Sequence, residues 1–324
     1  MRTALVTGGA GYLGSHLAKA LKQAGYYTFC FDLKLPENRK YWDNQIMGDI
    51  RSREDLDEVF EKFGRIHKQK FDVVFHLAGL IEVGESVNEP EEYWQTNVGG
   101  TCNLLTTMKS YNVRNIVYSS TAGLYRSTGT DLSEKDQIAE NNPYANSKHA
   151  AECAIRNSTM NYVIFRFFNL AGADPECEMG ECHDPETHLI PAMFENLNNF
   201  VINGDGYRTV DGTCVRDYVH VSDVADAHIL ADNYLQTRLS NQPRLFNLGT
   251  GKGHTILQVI DAAEKELKVK VDYSFGPRRE GDPPRLVAIP DLAKTFLNFK
   301  PKHNLTSILR TAYNWYEHRN RNTI

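Results

Sequence analysis

Tyr144 and Lys148 lie four residues apart in Pro143-Tyr144-Ala145-Asn146-Ser147-Lys148. On a helix that spacing stacks the two side chains on one face. A tyrosine phenol ionises near pH ~10, so by itself it is a poor base at neutral pH. Lowering its pKa by roughly three units takes about 4 kcal/mol of preference for the phenolate. One positive charge about 4 Å away supplies that order of energy at an effective dielectric of about 20. Such a pair is therefore a proton-transfer device. Alone, the pair would more often be surface decoration, so its meaning depends on what the rest of the chain places beside it.

The first companion is Thr7-Gly8-Gly9-Ala10-Gly11-Tyr12-Leu13-Gly14. It follows the apolar run Ala4-Leu5-Val6 and opens a helical pattern from Tyr12 to Ala24, with Leu13, Leu17, Ala20 and Leu21 on one face. Strand, tight glycine turn and helix in that order separate a dinucleotide fingerprint from a chance glycine run. Gly8, Gly11 and Gly14 let the backbone approach a pyrophosphate, and the N–H groups around Tyr12 and Leu13 lie at a helix N-terminus that favours anions. A second strand, Tyr27 to Phe31, ends in Asp32. An acid there holds both hydroxyls of an adenosine ribose and repels a 2′-phosphate, which favours NAD over NADP.

The second companion is a hydroxyl cluster. The strand Ile116-Val117-Tyr118 runs into Ser119-Ser120-Thr121. Ligands of open parallel sheets bind beyond the carboxyl ends of the strands. Thr121, Tyr144, Lys148 and NAD form a set that takes a proton from an alcohol while hydride leaves its carbon.

The elements that must position this set are legible as alternating strands and helices. Further buried-type strands are expected at Phe71 to Leu77, Asn115 to Ser119 and Asn161 to Phe168, with helices at Arg53 to Phe63, Glu91 to Tyr111 and Pro143 to Met160. This rhythm predicts an α/β fold: a doubly wound parallel Rossmann sheet. From about Asn169 the texture changes to loops rich in Gly, Pro, Asp and Asn around one helix, Leu189 to Leu197. We expect an NAD-binding domain over 1–169 and a smaller C-terminal substrate-binding lobe over 170–324. Val219-His220-Val221 and Leu245 to Leu248 are expected to return to the first domain, and Leu305 to His318 is the last helix.

Bulk properties narrow the partners. The 324-residue chain has a net charge of −5, which gives no general attraction to nucleic acid. No apolar stretch approaches the roughly 20 residues of a membrane span. Met1-Arg2 runs directly into the first strand and the six cysteines are scattered, so a soluble cytoplasmic protein with reduced thiols is expected. Cys177 and Cys182 stand near His183 and His188, but the spacing matches no common structural zinc pattern. The segment reads as a solvated loop with no metal.

These motifs resemble the extended short-chain dehydrogenase/reductase superfamily. Gly84-Glu85-Ser86-Val87, Arg166-Phe167-Phe168-Asn169, Asp211-Gly212-Thr213-Cys214-Val215-Arg216-Asp217-Tyr218 and Arg278-Arg279-Glu280-Gly281-Asp282 narrow the likeness to the UDP-glucose 4-epimerases. It runs from Thr3 to roughly Trp315. The resemblance implies Asp49 and Ile50 beside adenine, Leu77, Ala78 and Gly79 at a strand end packed on the cofactor, Asn97 bracing the site, and Ser119 and Phe167 as further cofactor contacts. It implies Asn169, His188, Leu189 and Asn203 as nucleotide-sugar contacts, Arg216 and Arg279 as the diphosphate clamp, and Asp282 as a ribose contact. The arginine fork suits that role.

The implied chemistry is NAD-dependent inversion at C4 of a UDP-hexose through a 4-keto sugar. Tyr144 takes the 4-hydroxyl proton, Thr121 hydrogen-bonds that oxygen, and Lys148 holds the cofactor ribose and lowers the Tyr144 pKa. The chain departs from the pattern in places. The usual uracil-stacking aromatic is Asn203, the usual Tyr-Gly is Tyr125-Arg126, and a lysine that some members carry is Ile81. Sugar-nucleotide dehydratases carry Asp-Glu directly after the threonine, where this chain has Ala122-Gly123. A decarboxylase needs a basic uronate pocket and usually lacks the Asp211 to Asp217 stretch. A cofactor-sensing protein typically loses the tyrosine or the lysine. Relatives pair their two long helices into a homodimer. The position four residues after the motif aspartate, here Leu286, sets the space beside the sugar 2-substituent.

Overall fold

Seven apolar runs pair into one parallel sheet in the computed structural model, which describes residues 1–126, 128–139, 142–183, 185–237, 242–278 and 282–322. Its strands are β1 (Thr3–Thr7), β2 (Tyr27–Asp32), β3 (Asn44–Met47), β4 (Val73–His76), β5 (Asn115–Thr121), β6 (Asn161–Phe167) and β10 (Leu245–Leu248). The spatial order is β10-β6-β5-β4-β1-β2-β3. The chain reverses direction between β1 and β4, which is where doubly wound sheets open a ligand crevice.

Residue alternation explains why the sheet needs cover on both faces. Ala4, Val6, Val117, Val163 and Phe165 enter one core with α1 (Tyr12–Gln23), α8 (Val221–Leu235) and α10 (Asp291–Leu297). Leu5, Val74, Ile116, Tyr118 and Ile164 enter the other with α2 (Arg53–His67), α5 (Gly100–Ser110) and α6 (Pro143–Arg156). A separate core joins α7 (Leu189–Glu195), α9 (Ile256–Leu267) and α11 (Leu305–Asn322) with β8 (Phe200–Asn203), which pairs with β12 (Tyr273–Gly276).

Two expectations are corrected. Leu245–Leu248 does join the large sheet beside β6. Val219-His220-Val221 does not: β9 (Val215–His220) pairs with β7 (Asn169–Ala171), β11 (Gly253–Thr255) and β13 (Arg285–Leu286) in a second sheet. His220 then caps α8 through Nδ1, which accepts the Ser222 N–H at 3.1 Å, so Val221 is helical. The helix expected over Glu91 to Tyr111 is interrupted. After the short α3 (Val83–Asn88) come α4 (Pro90–Tyr93), a π-helical turn at Trp94–Gly99 and α5. A wide turn of this kind often marks a functional position, and here it carries Asn97. No helix among the described residues is long and apolar enough to cross a membrane.

Candidate functional site

The glycine turn after β1 is built for close approach. Gly8 has φ +75°, and a Cβ there would lie 2.6 Å from the Ala78 nitrogen. A Cβ on Gly14 would lie 2.2 Å from the Gly8 carbonyl oxygen. The N-terminus of α1 carries no side-chain cap, which leaves Tyr12 and Leu13 in an uncapped first turn beside Gly11. Asp32 closes the turn from β2 by accepting the Ala10 N–H at 3.0 Å. Burial raises the Asp32 pKa, and the N–H groups of Ala10, Lys34 and Leu33 oppose the shift. The Tyr12 ring is committed elsewhere, because its hydroxyl donates to the Gly172 carbonyl at 2.6 Å.

Local contacts fix the other positions expected at the cofactor. Arg51 grips the Asp49 carboxylate at 2.7 Å and depresses its pKa. Ile50 is buried against Gly100, where a Cβ would lie 2.6 Å from Ile50 Cγ2. Leu77, Ala78 and Gly79 leave the end of β4. Asn97 pins the next residue: its Oδ1 accepts the Leu80 N–H at 2.9 Å, and its Nδ2 donates to the Leu80 carbonyl at 3.1 Å and to Ser147 Oγ at 2.9 Å. A Cβ on Gly79 would crowd Asn97 Oδ1 at 2.7 Å and stand 3.8 Å from Lys148 Nζ. Ser119 is buried, with Oγ 3.4 Å from His228 Nε2, and Phe167 closes β6 against that same histidine.

The start of α6 is set locally. Asn142 accepts the Ala145 N–H at 2.8 Å as N-cap, and Pro143 follows at the first helical turn. This places Tyr144 in the first turn and Lys148 one turn on, both toward the sheet. Thr121 at the end of β5 hydrogen-bonds Tyr144. Lys148 is 4% exposed, with Nζ 4.6 Å from the centre of the Tyr118 ring. Burial raises the Tyr144 pKa, and Thr121 opposes the rise. Burial lowers Lys148 to about 7, opposed by Glu152. In the protein alone, burial therefore favours a neutral phenol and a weakened ammonium, the opposite of the lowered Tyr144 pKa expected from the sequence.

Sequence reasoning missed the layer beneath this pair. Glu152, one turn beyond Lys148, is fully buried. It accepts from Ser120 Oγ at 2.6 Å, from Arg166 Nε and Nη2 at 2.9 and 2.7 Å, and from Arg156 at 2.9 Å. The i, i+4 step from Lys148 to Glu152 was the available signal. His76 links Thr7 Oγ1 and Thr101 Oγ1, each at 2.9 Å, and burial with the Lys148 charge lowers it to about 3, so it works as a neutral imidazole. The Tyr118 hydroxyl is buried without a hydrogen-bond partner. Tyr118→Phe should therefore raise stability by about 1 kcal/mol, since an unpaired buried hydroxyl costs about 1–3 kcal/mol. A lower urea midpoint for the variant would show that the hydroxyl is paired.

The second lobe supplies a basic corner. Arg216 on β9 donates to Asp282 Oδ1 at 2.9 Å and to the Pro283 carbonyl at 2.8 Å. Tyr207 donates to Asp282 Oδ2 at 3.4 Å and lies under the Arg278 guanidinium, 4.2 Å from its ring centre. Asn203 ends β8 opposite Gly276, two residues before Arg278. Asn169 pairs with Tyr218, and its Oδ1 is buried without a hydrogen-bond partner. Leu286 is half-buried against Ala122, Tyr125, Phe168 and Ala288, so it abuts the residue that follows Thr121. Arg279 lies outside the described residues.

His188 caps α7 ahead of Leu189. Its surroundings differ from the expected solvated loop: the Glu181 and Glu186 side chains beside it are 7% and 3% exposed. Burial pulls His188 down, but hydrogen bonds to Glu181 and Glu186 raise it to about 10. Asp211 and Asp217, part of the distinctive stretch, serve the scaffold. Asp211 accepts from Thr213 and Thr255, and Asp217 from Thr250, Gly251 and Ala288.

Comparison with known proteins gives the same direction. The chain is 39% identical over 327 residues to the UDP-glucose 4-epimerase of Rhizobium meliloti (strain 1021), covering 98% of this chain and 97% of that one. The UDP-glucose 4-epimerase of Stenotrophomonas maltophila, solved with NAD and formylated UDP-arabinopyranose, superposes with TM-score 0.91 at 31% identity, covering 99% of this chain and 100% of that one. The Bifidobacterium longum UDP-glucose 4-epimerase, solved with NAD+ and UDP, gives TM-score 0.89 at 31% identity with the same coverage. Residues 4–249 match the NAD dependent epimerase/dehydratase family, and the chain belongs to it.

Proposed function

We propose that this protein is an NAD-dependent UDP-hexose 4-epimerase. The observation that carries the reading is the convergence of Thr121, at the carboxyl end of β5, with half-buried Tyr144 and buried Lys148 on the first turns of α6. The cradle fits a dinucleotide, because Gly8 and Gly14 leave no room for a side chain and the α1 N-terminus is uncapped. When bound, NAD would supply the acceptor and donor for the hydride exchanged with the sugar C4. Tyr144 takes the 4-hydroxyl proton and gives it back, while Thr121 hydrogen-bonds the same oxygen. Lys148 supplies positive charge close to the phenol. Asp32 holds the adenosine ribose, and Asp49 with Ile50 forms the adenine wall.

Arg216 and Asp282 hold the nucleotide, with Asn169 as a polar contact and Arg279 as the second cation of the clamp. Concentrating contacts on UDP leaves the hexose free to present either face. The ligands of the two solved relatives, NAD with a UDP-sugar and NAD+ with UDP, agree with this division. Ala122-Gly123 after Thr121 argues against a dehydratase, which needs acids there. Incubation with UDP-galactose should give UDP-glucose with no added oxidant. Accumulation of a dehydrated or decarboxylated sugar would refute the proposal.

Leu286 sets the substrate range in this reading. Leucine is shorter than tyrosine, so the pocket admits an N-acetyl group, and Asn203 in place of an aromatic weakens uracil stacking. Leu286→Tyr should abolish turnover of UDP-N-acetylglucosamine and spare UDP-glucose, because exclusion is steric. Equal slowing of both substrates would remove Leu286 as the gate.

We further propose a cytoplasmic homodimer. Its support is the half-buried stripe of small residues on α6, Ala150, Cys153 and Ala154, with Trp94 45% exposed and six cysteines free of disulfides. Such a stripe suits a two-fold helix pairing. A monomer mass by light scattering at micromolar concentration would contradict it.

A further inference from the structure

We propose that Glu181, His183, Glu186 and His188 form a structural site for a divalent cation of the Zn2+ type. The loop between Gly180 and α7 brings one ligand atom from each residue to within 4.8 Å of every other. His188 Nδ1 lies 2.9 Å from Glu181 Oε1 and 3.3 Å from Glu186 Oε1. His183 Nδ1 lies 3.4 Å from Glu181 Oε1 and 3.8 Å from Glu186 Oε2. A tetrahedral ion with bonds of about 2.1 Å holds its ligand atoms about 3.4 Å apart, so these spacings already surround a position for one.

Three observations favour an ion over a cluster of hydrogen bonds. His183 Nδ1 is buried and has no hydrogen-bond partner, although two carboxylates stand beside it. A ligating nitrogen looks like this, with its lone pair turned inward. The two carboxylates are almost fully enclosed, and without an ion their counter-charge falls to His183 and His188 alone. A dication neutralises both and leaves the imidazoles neutral, which ligation requires. The outer partners are also in place. The His183 and His188 N–H groups donate to Glu186 at 3.4 and 2.9 Å, and Trp315 Nε1 donates to the Glu181 carbonyl at 2.9 Å. Contacts of this kind orient metal ligands.

Four protein ligands leave no open position, so the site is structural. Two nitrogens and two oxygens without sulfur suit a borderline cation, and Zn2+ binds such sets tightly without a geometric demand of its own. Its location gives it a task. Thr187 Oγ1, inside the loop, donates to Glu82 Oε2 at 2.9 Å and ties the segment to the first lobe. His188 leads directly into Leu189 and α7. An ion here would fix the start of that helix and the join between lobes.

The test uses the full chain, purified without a histidine tag or chelator. Elemental analysis should find one Zn2+ per chain. Stripping with a strong chelator should lower Tm, and added Zn2+ should restore it. Co2+ added to the stripped protein should give the intense visible bands of a four-coordinate ion. His183→Gln and Glu186→Gln should each abolish uptake, while Cys182→Ser keeps it. The stripping and refilling of the wild-type chain stands even if a variant fails to fold. No saturable Zn2+ or Co2+ uptake by the wild-type chain would overturn the proposal, as would full uptake by folded His183→Gln.

Discussion

Tyr144→Phe is expected to bind NAD and UDP-sugar as the wild type does and to turn over about 10²–10⁴-fold more slowly, the usual contribution of a positioned acid–base group. The ring stays, so its edge-to-face contact with Tyr93, 6.4 Å between centres, stays too. Only the oxygen that Thr121 hydrogen-bonds is lost. The loss should therefore appear in kcat with little change in KM. Calorimetric titration with UDP-glucose and single-turnover kinetics separate the two. Near-normal turnover in a variant that binds both ligands would take Tyr144 out of the mechanism.

Lys148→Met is expected to have two large effects of opposite sign. Turnover should collapse, because the proposed mechanism assigns Lys148, one helical turn beyond Tyr144, the charge that favours the phenolate. The cofactor-free chain should become more stable. The folded lysine ionises at about 7, below the usual lysine value, because burial disfavours its charge. Below pH 7 both folded and unfolded chains carry the proton, and the penalty for burying the ammonium is present in full. Between about pH 7 and pH 10 the unfolded chain holds a proton that the folded one has released, so stability rises with pH. Above that range the penalty is gone. The gain in Tm for Lys148→Met should be largest near pH 6 and vanish in strong alkali. A loss of stability at pH 6 would show that the contact with Tyr118 outweighs desolvation.

The sequence revealed the sheet well because its strands are short continuous apolar runs, and residues such as Leu5 and Val6 must face opposite helical layers. The glycine turn, Asp32 and the Tyr144–Lys148 spacing were legible because each obeys a local rule. What escaped depends on distant partners. The β3 strand alternates weakly, and only its pairing with β2 fixes it. Val219 to Val221 looked like a strand throughout, yet His220 caps a helix there. The Glu152–Arg166 pair joins α6 to β6; the i, i+4 step from Lys148 points to Glu152, but nothing local announces Arg166 as its partner. Glu181 and Glu186 looked solvated because acids usually are, but the fold encloses them with two histidines. The arginine forks suggested phosphate, and the structure adds that Arg216 already holds Asp282 at 2.9 Å.

The most direct test of the central claim follows the hydrogen on C4. UDP-galactose carrying deuterium at C4 is incubated with the purified protein in ordinary water, with no oxidant added. The account predicts UDP-glucose that retains the deuterium at C4, because the same hydride is removed and returned within one closed site. Product with the label exchanged for solvent hydrogen, or no UDP-glucose at all from protein loaded with NAD, would contradict it.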